Sequence, residues 1–210
     1  MSAGSASGDP LEGVLEEARA LGFLGPGPVH HHIAHALGFA AQVPSDPRLA
    51  LDLGSGGGVP GLVLAGKRWP GAAWTLVEAG QRRSEFLARA AAALGVGDRV
   101  AVHWARAEEA GRHARLRGAF DLVVARSFGP PAVTAECAAA FLAVGGLLVV
   151  SEPPDERPER WDEEILAGLG LVTDELTGAS PWRFARFRQV VACPPWTPRR
   201  TGVPSKRPLF

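Results

Sequence analysis

Leu51-Asp52-Leu53-Gly54-Ser55-Gly56-Gly57-Gly58-Val59-Pro60-Gly61 is the stretch that decides how this chain is read. An apolar run enters a glycine-rich turn and a helical pattern follows, so the segment reads as strand, tight loop and helix start. Such a unit turns backbone N–H groups and a helix N-terminus toward one point, where a ligand can bind. Five glycines lie between Gly54 and Gly61, and their entropic cost is hard to justify unless something approaches the loop closely. Gly56, Gly58 and Gly61 satisfy the spacing G-x-G-x-x-G, which admits a dinucleotide site.

On either side of the loop, short apolar runs alternate with longer helical patterns. Strands are predicted over 49–53, 73–77, 100–103, 121–124 and 147–150, with helices near 59–65, 81–94, 107–111 and 132–144. Upstream, Asp9-Pro10 is a helix start, with a capping carboxylate and a proline at the first helical position. The apolar spacing of Leu11, Val14, Leu15, Ala18 and Leu21 carries that helix to Gly22. Gly25-Pro26-Gly27-Pro28 breaks the chain before a second short helix over 29–41. Downstream come an acidic loop and helix over 153–169, then strands over 171–176 and 184–192. No helix separates those two strands, so they are expected to form an antiparallel hairpin. The predicted fold is α/β: a doubly wound, mostly parallel seven-stranded sheet with an antiparallel edge hairpin. Three regions are expected: an N-terminal helical segment (1–45), the sheet domain (46–196) and a basic C-terminal tail (197–210).

Composition narrows the classes. The chain has 210 residues, 46% hydrophobic and 21% charged, with 22 Lys+Arg against 22 Asp+Glu. Two cysteines without paired spacing argue against a disulfide framework or a cysteine zinc site. The first ten residues lack basic groups and an apolar run, and no stretch has the length of a membrane span, so a cytoplasmic, membrane-free protein is expected. The even balance hides a segregation: 152–175 holds nine acidic residues against two basic, whereas 182–210 holds seven basic residues and no acid. Either these neighbours neutralise each other or the tail is open to an anionic partner such as RNA.

Two acids bear on the ligand of the glycine loop. Asp52 ends the first strand and is expected to face the loop. A like-charge contact about 4 Å from a pyrophosphate would cost on the order of 4 kcal/mol at an effective dielectric of about 20. The same carboxylate would attract a cation, such as the ammonium and sulfonium of S-adenosylmethionine. Glu78 ends the second strand, where an acid can accept both ribose hydroxyls of a nucleoside. It could also be a solvated strand end. Ala107-Glu108 follows the third strand, where adenine would pass, although Glu108 also suits a helix N-terminus. Arg126 ends the fourth strand at the carboxyl edge of the sheet, free for a ligand or paired with Asp121 or Glu152. The combination favours S-adenosylmethionine over a dinucleotide.

These residues resemble a known family, the bacterial 16S ribosomal RNA guanine-N7 methyltransferases of the glucose-inhibited-division B type. The likeness covers Leu49 to Val150 and the last dozen residues. It rests on Asp52-Leu53-Gly54-Ser55-Gly56-Gly57-Gly58-Val59-Pro60-Gly61, on Leu76-Val77-Glu78 with Arg82-Arg83 and Phe86-Leu87, on Ala107-Glu108 and on Val124-Ala125-Arg126-Ser127-Phe128. The tail Pro198-Arg199-Arg200-Thr201-Gly202-Val203-Pro204-Ser205-Lys206-Arg207-Pro208-Leu209 is similar to that family's C-terminal signature. The resemblance implies a class I, Rossmann-like methyltransferase domain over 46–196. It implies that Gly54, Val59, Ala107, Glu108 and Arg126 contact S-adenosylmethionine and that Glu78 holds its ribose. It places Arg199, Arg200, Lys206 and Arg207 on the RNA side, with ribosomal RNA or the small subunit as partner. A monomer is expected, and no DNA. Guanine N7 carries a lone pair and no proton, so no catalytic base is named, and Arg126 is the candidate orienting residue.

Two elements depart from that family. Its Arg-His…Asp-Ser-Leu element is replaced by His30-His31-His32-Ile33-Ala34-His35-Ala36-Leu37, and its Lys-Gly after the fifth strand by Ser151-Glu152-Pro153-Pro154. Both lie toward the substrate side, which keeps a different substrate (a small molecule or a protein) and a non-catalytic RNA- or ribosome-binding role as alternatives. His31 and His35 share a helix face, but no acidic or cysteine partner is near in sequence and no metal is expected. Trp182, Phe184, Phe187 and Trp196 interleave with arginines, compatible with base stacking, though core packing is the favoured reading. Cys137 is expected to be a small buried hydrophobe.

Overall fold

A computed structural model describes residues 9–154, 160–175 and 180–210. Its elements run α1 (Pro10–Ala20), α2 (Val29–Ala40), β1 (Leu49–Leu53), α3 (Gly61–Lys67), β2 (Ala73–Glu78), α4 (Gln81–Ala93) and β3 (Val100–Trp104). They continue α5 (Ala107–Ala110), β4 (Phe120–Ala125), α6 (Pro131–Ala139), β5 (Leu142–Ser151), α7 (Glu163–Gly168), β6 (Leu171–Thr173), β7 (Phe184–Gln189) and α8 (Val203–Lys206). The seven strands form one sheet in the order β3-β2-β1-β4-β5-β7-β6. The first five are parallel, and β7 runs antiparallel to both β5 and β6. The doubly wound sheet with an antiparallel edge is thus present.

The strands are apolar at nearly every position because both faces of the sheet are covered, as parallel sheets require. The period-2 alternation of a strand then divides their side chains between two cores. Ala50, Leu76, Leu122, Val124 and Val149 pack with Leu62 and Leu64 of α3 and Phe86 and Leu87 of α4. Leu51, Leu53, Val77, Val123, Ala125 and Leu148 pack instead against α5, α6 and α7. Trp69 and Trp74, both 1% exposed, stack with centroids 6.1 Å apart inside the first core. Truncating either to Ala is expected to cost about 3–5 kcal/mol. The N-terminal helices lie on the same side: Ala18 of α1 and Phe39 of α2 join the first core. Asp9 caps α1 by accepting from the Leu11 N–H at 3.1 Å.

Three boundaries differ from the sequence reading. The helix predicted to reach residue 144 stops at Ala139, and β5 begins at Leu142. An apolar run of this kind fits a buried helix or a buried strand equally well. The arbiter is tertiary: Leu142 pairs with Phe120, and the register then jumps so that Leu147 pairs with Leu122. Gly145 takes up the irregularity at φ 89°. Within the predicted 153–169 stretch the helix is short, capped by Asp162 accepting from the Ile165 N–H at 2.9 Å; residues 155–159 lie outside the described residues, as does Leu176. β6 and β7 are both shorter than predicted.

The strand order reverses between β1 and β4, which opens a crevice beyond their carboxyl ends. Register makes that edge level. Leu53 pairs with Val77 on one side and with Ala125 on the other, and Ala125 with Val150. The next residues along these four strands, Gly54, Glu78, Arg126 and Ser151, therefore stand on one line at that edge, Glu78 and Ser151 as the last residues of β2 and β5.

Candidate active site

A cleft of about 430 Å³ lies over this edge, and Gly54, Gly56, Val59, Glu78, Ala107 and Arg126 all line it. The fit to a single ligand begins with Glu78. Its Oε2 accepts from the Gly56 N–H at 2.9 Å and its Oε1 from the Gly80 N–H at 2.7 Å. Two backbone donors thus fix the carboxylate, and each oxygen keeps a further lone pair for a ligand. Arg83 stands 4.0 Å from Oε1. The loop is tied to the same strand: Gly54 and Ser55 N–H both donate to the Val77 carbonyl, at 2.9 and 3.1 Å. Gly54 sits at φ 74°, and a Cβ there would lie 2.7 Å from the Phe128 ring, so only glycine lets that ring close over the loop.

Asp52 faces the loop, as expected, but from within the core and without lining the cleft. Strand phase sends it to the same face as Ala50, beneath the loop, where it is 1% exposed. Its Oδ2 accepts from the Gly61 N–H at 2.8 Å, and a Cβ on Gly61 would lie 2.6 Å from that oxygen. Burial pushes the carboxyl up to about 7, against the opposing pull of the Gly61 N–H. Asp52 is therefore a strut under the glycine loop and not a residue of the cleft wall. The consequence for ligand choice survives in altered form. The first N–H of α3, which a dinucleotide pyrophosphate would use, is already taken by the protein's own carboxylate.

Arg126 crosses the floor of the crevice. Its Nη2 lies 2.8 Å from His32 Nδ1, and His32 Nε2 lies 3.2 Å from the Gly25 carbonyl. A carbonyl only accepts, so Nε2 carries the proton and Nδ1 accepts from the guanidinium, which makes His32 neutral. Burial first, and the Arg126 charge second, hold the His32 pKa below its usual value. The two acids considered for Arg126 bond elsewhere: Asp121 accepts from the Arg48 and Leu49 N–H groups, and Glu152 from Arg160 and Trp161. Beside Arg126, Ser127 sits at φ 53°, a left-handed conformation that non-glycine residues hold only where the surroundings enforce it.

A second cavity of about 350 Å³ adjoins the first and shares Arg126, Ser127 and Phe128 with it. Its far wall is Glu152, Arg160 and Trp161. His35 also borders it, packed edge-on against Phe39 and Trp182, and burial pushes its pKa down to about 4. Among the described residues no cluster of three or more His, Cys, Asp or Glu could hold a metal ion. No described helix is long and apolar enough to cross a membrane.

The C-terminal tail is bound down to the sheet domain, and this redistributes the predicted RNA residues. Arg199 grips the fully buried Glu136 of α6, with Nε 2.9 Å from Oε1 and Nη2 2.6 Å from Oε2. Glu108, predicted to touch the cofactor, turns to the tail instead and accepts from the Gly202 N–H at 2.8 Å. It is 8% exposed and is not among the residues that line the cleft. Arg112 and Arg117 donate to carbonyls of Pro194, Thr197 and Pro198. Arg200, Lys206 and Arg207 remain exposed. The charge segregation is partly internal: Asp174 pairs with Arg186 at 3.1 Å and Arg188 at 2.5 Å. Phe184 and Phe187 are core residues, whereas Trp196 is 49% exposed.

Sequence reading missed His32, Phe128 and the Phe23-Leu24-Gly25 segment that also lines the cleft. The Gly25-Pro26-Gly27-Pro28 break was the available signal, since it marks a loop free to fold over a neighbour. A carboxylate fixed at the edge of a glycine loop, with acceptor positions to spare, and an apolar wall beside it suit a nucleoside.

Comparison with known proteins agrees. Residues 28–159 match the family model described as rRNA small subunit methyltransferase G. The chain is 32% identical over 190 residues to the ribosomal RNA small subunit methyltransferase G of Synechococcus sp. (strain CC9902), covering 84% of this chain and 74% of that one. It is 37% identical over 175 residues to the protein of that name from Prochlorococcus marinus (strain MIT 9303), covering 80% and 70%. Among solved structures, an O-methyltransferase from Bacillus cereus in complex with S-adenosylhomocysteine aligns with TM-score 0.58 at 15% identity, covering 88% of this chain and 92% of that one. The O-methyltransferase TomG from Streptomyces achromogenes aligns with TM-score 0.58 at 20% identity, covering 88% and 91%. These two likenesses concern the fold.

Proposed function

We propose that this chain, which belongs to the rRNA small subunit methyltransferase G family, transfers a methyl group from S-adenosylmethionine to guanine N7 of 16S ribosomal RNA. It is an S-adenosylmethionine-dependent methyltransferase of ribosomal RNA; the atom methylated is the finer part of the proposal. The observation that carries the cofactor site is Glu78, held by two backbone N–H groups at the edge of a glycine-lined cleft.

S-adenosylmethionine, when bound, supplies an electrophilic methyl group on a positively charged sulfur. Glu78 would take the ribose hydroxyls on its remaining lone pairs. Val77, Ala105 and Ala107 give the cleft an apolar wall for the adenine. Asp52 holds Gly61, and with it the loop, from below. Arg126, oriented by neutral His32, stands where the two cavities meet and would position the methyl acceptor.

Guanine N7 has a lone pair and no proton to remove, so the protein's task is placement, which can lower a barrier by about 7–11 kcal/mol. The same reading puts Arg200, Lys206 and Arg207 on RNA phosphates and leaves Arg199 to the fold. It also puts the enzyme in the cytoplasm, as a monomer.

Calorimetric titration with S-adenosylhomocysteine, followed by labelled-methyl transfer to small subunits from cells lacking this modification, tests the proposal. Binding and a label mapped to guanine N7 are expected. Binding with no transfer to the subunit, or a label elsewhere, refutes the substrate assignment, and absence of binding refutes the cofactor site.

A further inference from the structure

The second cavity has a feature that cofactor binding does not use. Glu152 stands on its wall at the end of β5, with its side chain 14% exposed. Its Oε2 accepts from Arg160 Nη1 at 2.5 Å and its Oε1 from Trp161 Nε1 at 3.3 Å. Its N–H donates to the Arg183 carbonyl at 2.9 Å. Trp161 is itself braced from behind by Phe187, ring centroids 4.6 Å apart. The carboxylate is therefore aimed and immobilised from three sides.

A carboxylate offers about four acceptor positions. Among the described residues Arg160 and Trp161 take one on each oxygen, with the Arg183 charge also acting on the group, and each oxygen keeps a further acceptor position. Two parallel acceptors of this kind match a planar group with two adjacent N–H donors. Among the RNA bases, guanine presents that pair on one edge, as N1–H and the 2-amino group. Adenine and cytosine have an unprotonated ring nitrogen next to their amino group, and uracil has N–H between two carbonyls. N7 lies on the opposite side of the guanine ring from the 2-amino group. A guanine held by Glu152 thus presents N7 away from that wall, toward the side the cavity shares with the cofactor cleft through Arg126 and Phe128.

We propose that the cavity bounded by Arg126, Phe128, Glu152 and Trp161 receives the target guanine out of its stack, and that Glu152 selects it by accepting from N1–H and the 2-amino group. This rests on the guanine-N7 reading above and adds the residue that chooses the base. Enzymes that modify a base take it into such a pocket and read it on its hydrogen-bonding edge. The acid does not make the mouth repulsive to RNA, because Arg160 pairs with it and Arg126 shares the cavity.

Inosine is the discriminating probe: it lacks the 2-amino group and keeps N1–H and N7. Small subunits reconstituted with 16S RNA carrying guanosine or inosine at the target nucleotide are methylated by the full-length protein, and kcat/KM is compared. The expected preference for guanosine is about tenfold, because inosine leaves a buried acceptor unpaired. Glu152→Gln replaces one acceptor by a donor and is expected to bring the ratio close to one, with affinity for S-adenosylhomocysteine as the folding control. A purely structural role for Glu152 would alter rates without moving the ratio.

Equal rates on the two bases with the unsubstituted protein overturn the inference while leaving guanine-N7 transfer intact. A ratio unchanged in Glu152→Gln overturns it equally. Transfer to a different atom or base overturns the parent reading and this one with it. Should Glu152→Gln fail to fold, Glu152→Ala, which removes both acceptors, takes its place with the same expected loss of preference.

Discussion

Separating Glu136 from Arg199 tests whether the tail arginine serves the fold or the RNA. Glu136 is fully buried, and Arg199 reaches it through its main-chain N–H at 2.8 Å, Nε at 2.9 and 3.1 Å and Nη2 at 2.6 Å. Arg199→Ala keeps the main-chain bond and removes two side-chain donors. Charge-assisted bonds contribute about 1.5 kcal/mol each at the low end, so the loss is about 3 kcal/mol. That sits at the foot of the range for breaking a buried pair, as suits a guanidinium still 25% exposed.

For a chain of 210 residues the melting temperature should fall by about 6–12 °C. Urea and thermal unfolding of the parent, Arg199→Ala, Glu136→Ala and the double variant form the cycle, and a coupling energy of about 2–3 kcal/mol is expected. A coupling below about 0.5 kcal/mol is what an exposed pair gives. If Arg199→Ala then weakened RNA binding while Glu136→Ala did not, the argument for a structural Arg199 would be wrong.

Glu78→Ala removes the acceptor that faces the cleft and the anchor of the Gly56 and Gly80 N–H groups; affinity for S-adenosylhomocysteine should drop about 10–100-fold by calorimetry, and a change under threefold would count against the site. Asp52, raised to about 7 in the fold from an ordinary value of 3.8, binds its proton more tightly folded than unfolded. Its contribution is complete below about pH 4 and is lost as pH rises toward 7, so the parent should lose stability relative to Asp52→Asn across that window. Parallel melting curves of the two proteins from pH 4 to 8 would contradict this. Arg200→Ala with Lys206→Ala should leave S-adenosylhomocysteine binding intact while lowering RNA affinity and reducing the salt slope of binding by about two; an unaltered slope would remove the tail from the RNA surface.

What was readable in advance follows a physical line. The β1 boundaries and the placement of the glycine loop, Glu78 and Arg126 along the edge of one cleft were legible because local pattern and parallel register determine them: each lies at or just past the carboxyl end of its strand. Asp52 faces the loop as expected, but its burial against the Gly61 N–H was not legible, since strand phase relative to α3 is a tertiary property. The contacts that Glu108 and Arg199 make within the fold were not legible for a related reason. Their partners, Gly202 and Glu136, are 94 and 63 residues away, and no local signal reports a contact at that separation. The same holds for His32 and Arg126, also 94 residues apart. The early start of β5 depended on a register shift against β4, which an apolar run does not encode.

The strapping of the tail has a consequence in time. Glu136 emerges from synthesis 63 residues before the arginine that neutralises it, an interval of about 3–13 s at 5–20 residues per second. During that interval the nascent sheet already holds β1 to β4, yet α6 cannot settle onto it without sealing an unpaired carboxylate in the second core. The growing chain must keep that flank open until Arg199 arrives. Completion of this side of the domain therefore waits for Arg199, and a nascent chain stalled short of it would present an unfinished α6 flank to chaperones and proteases.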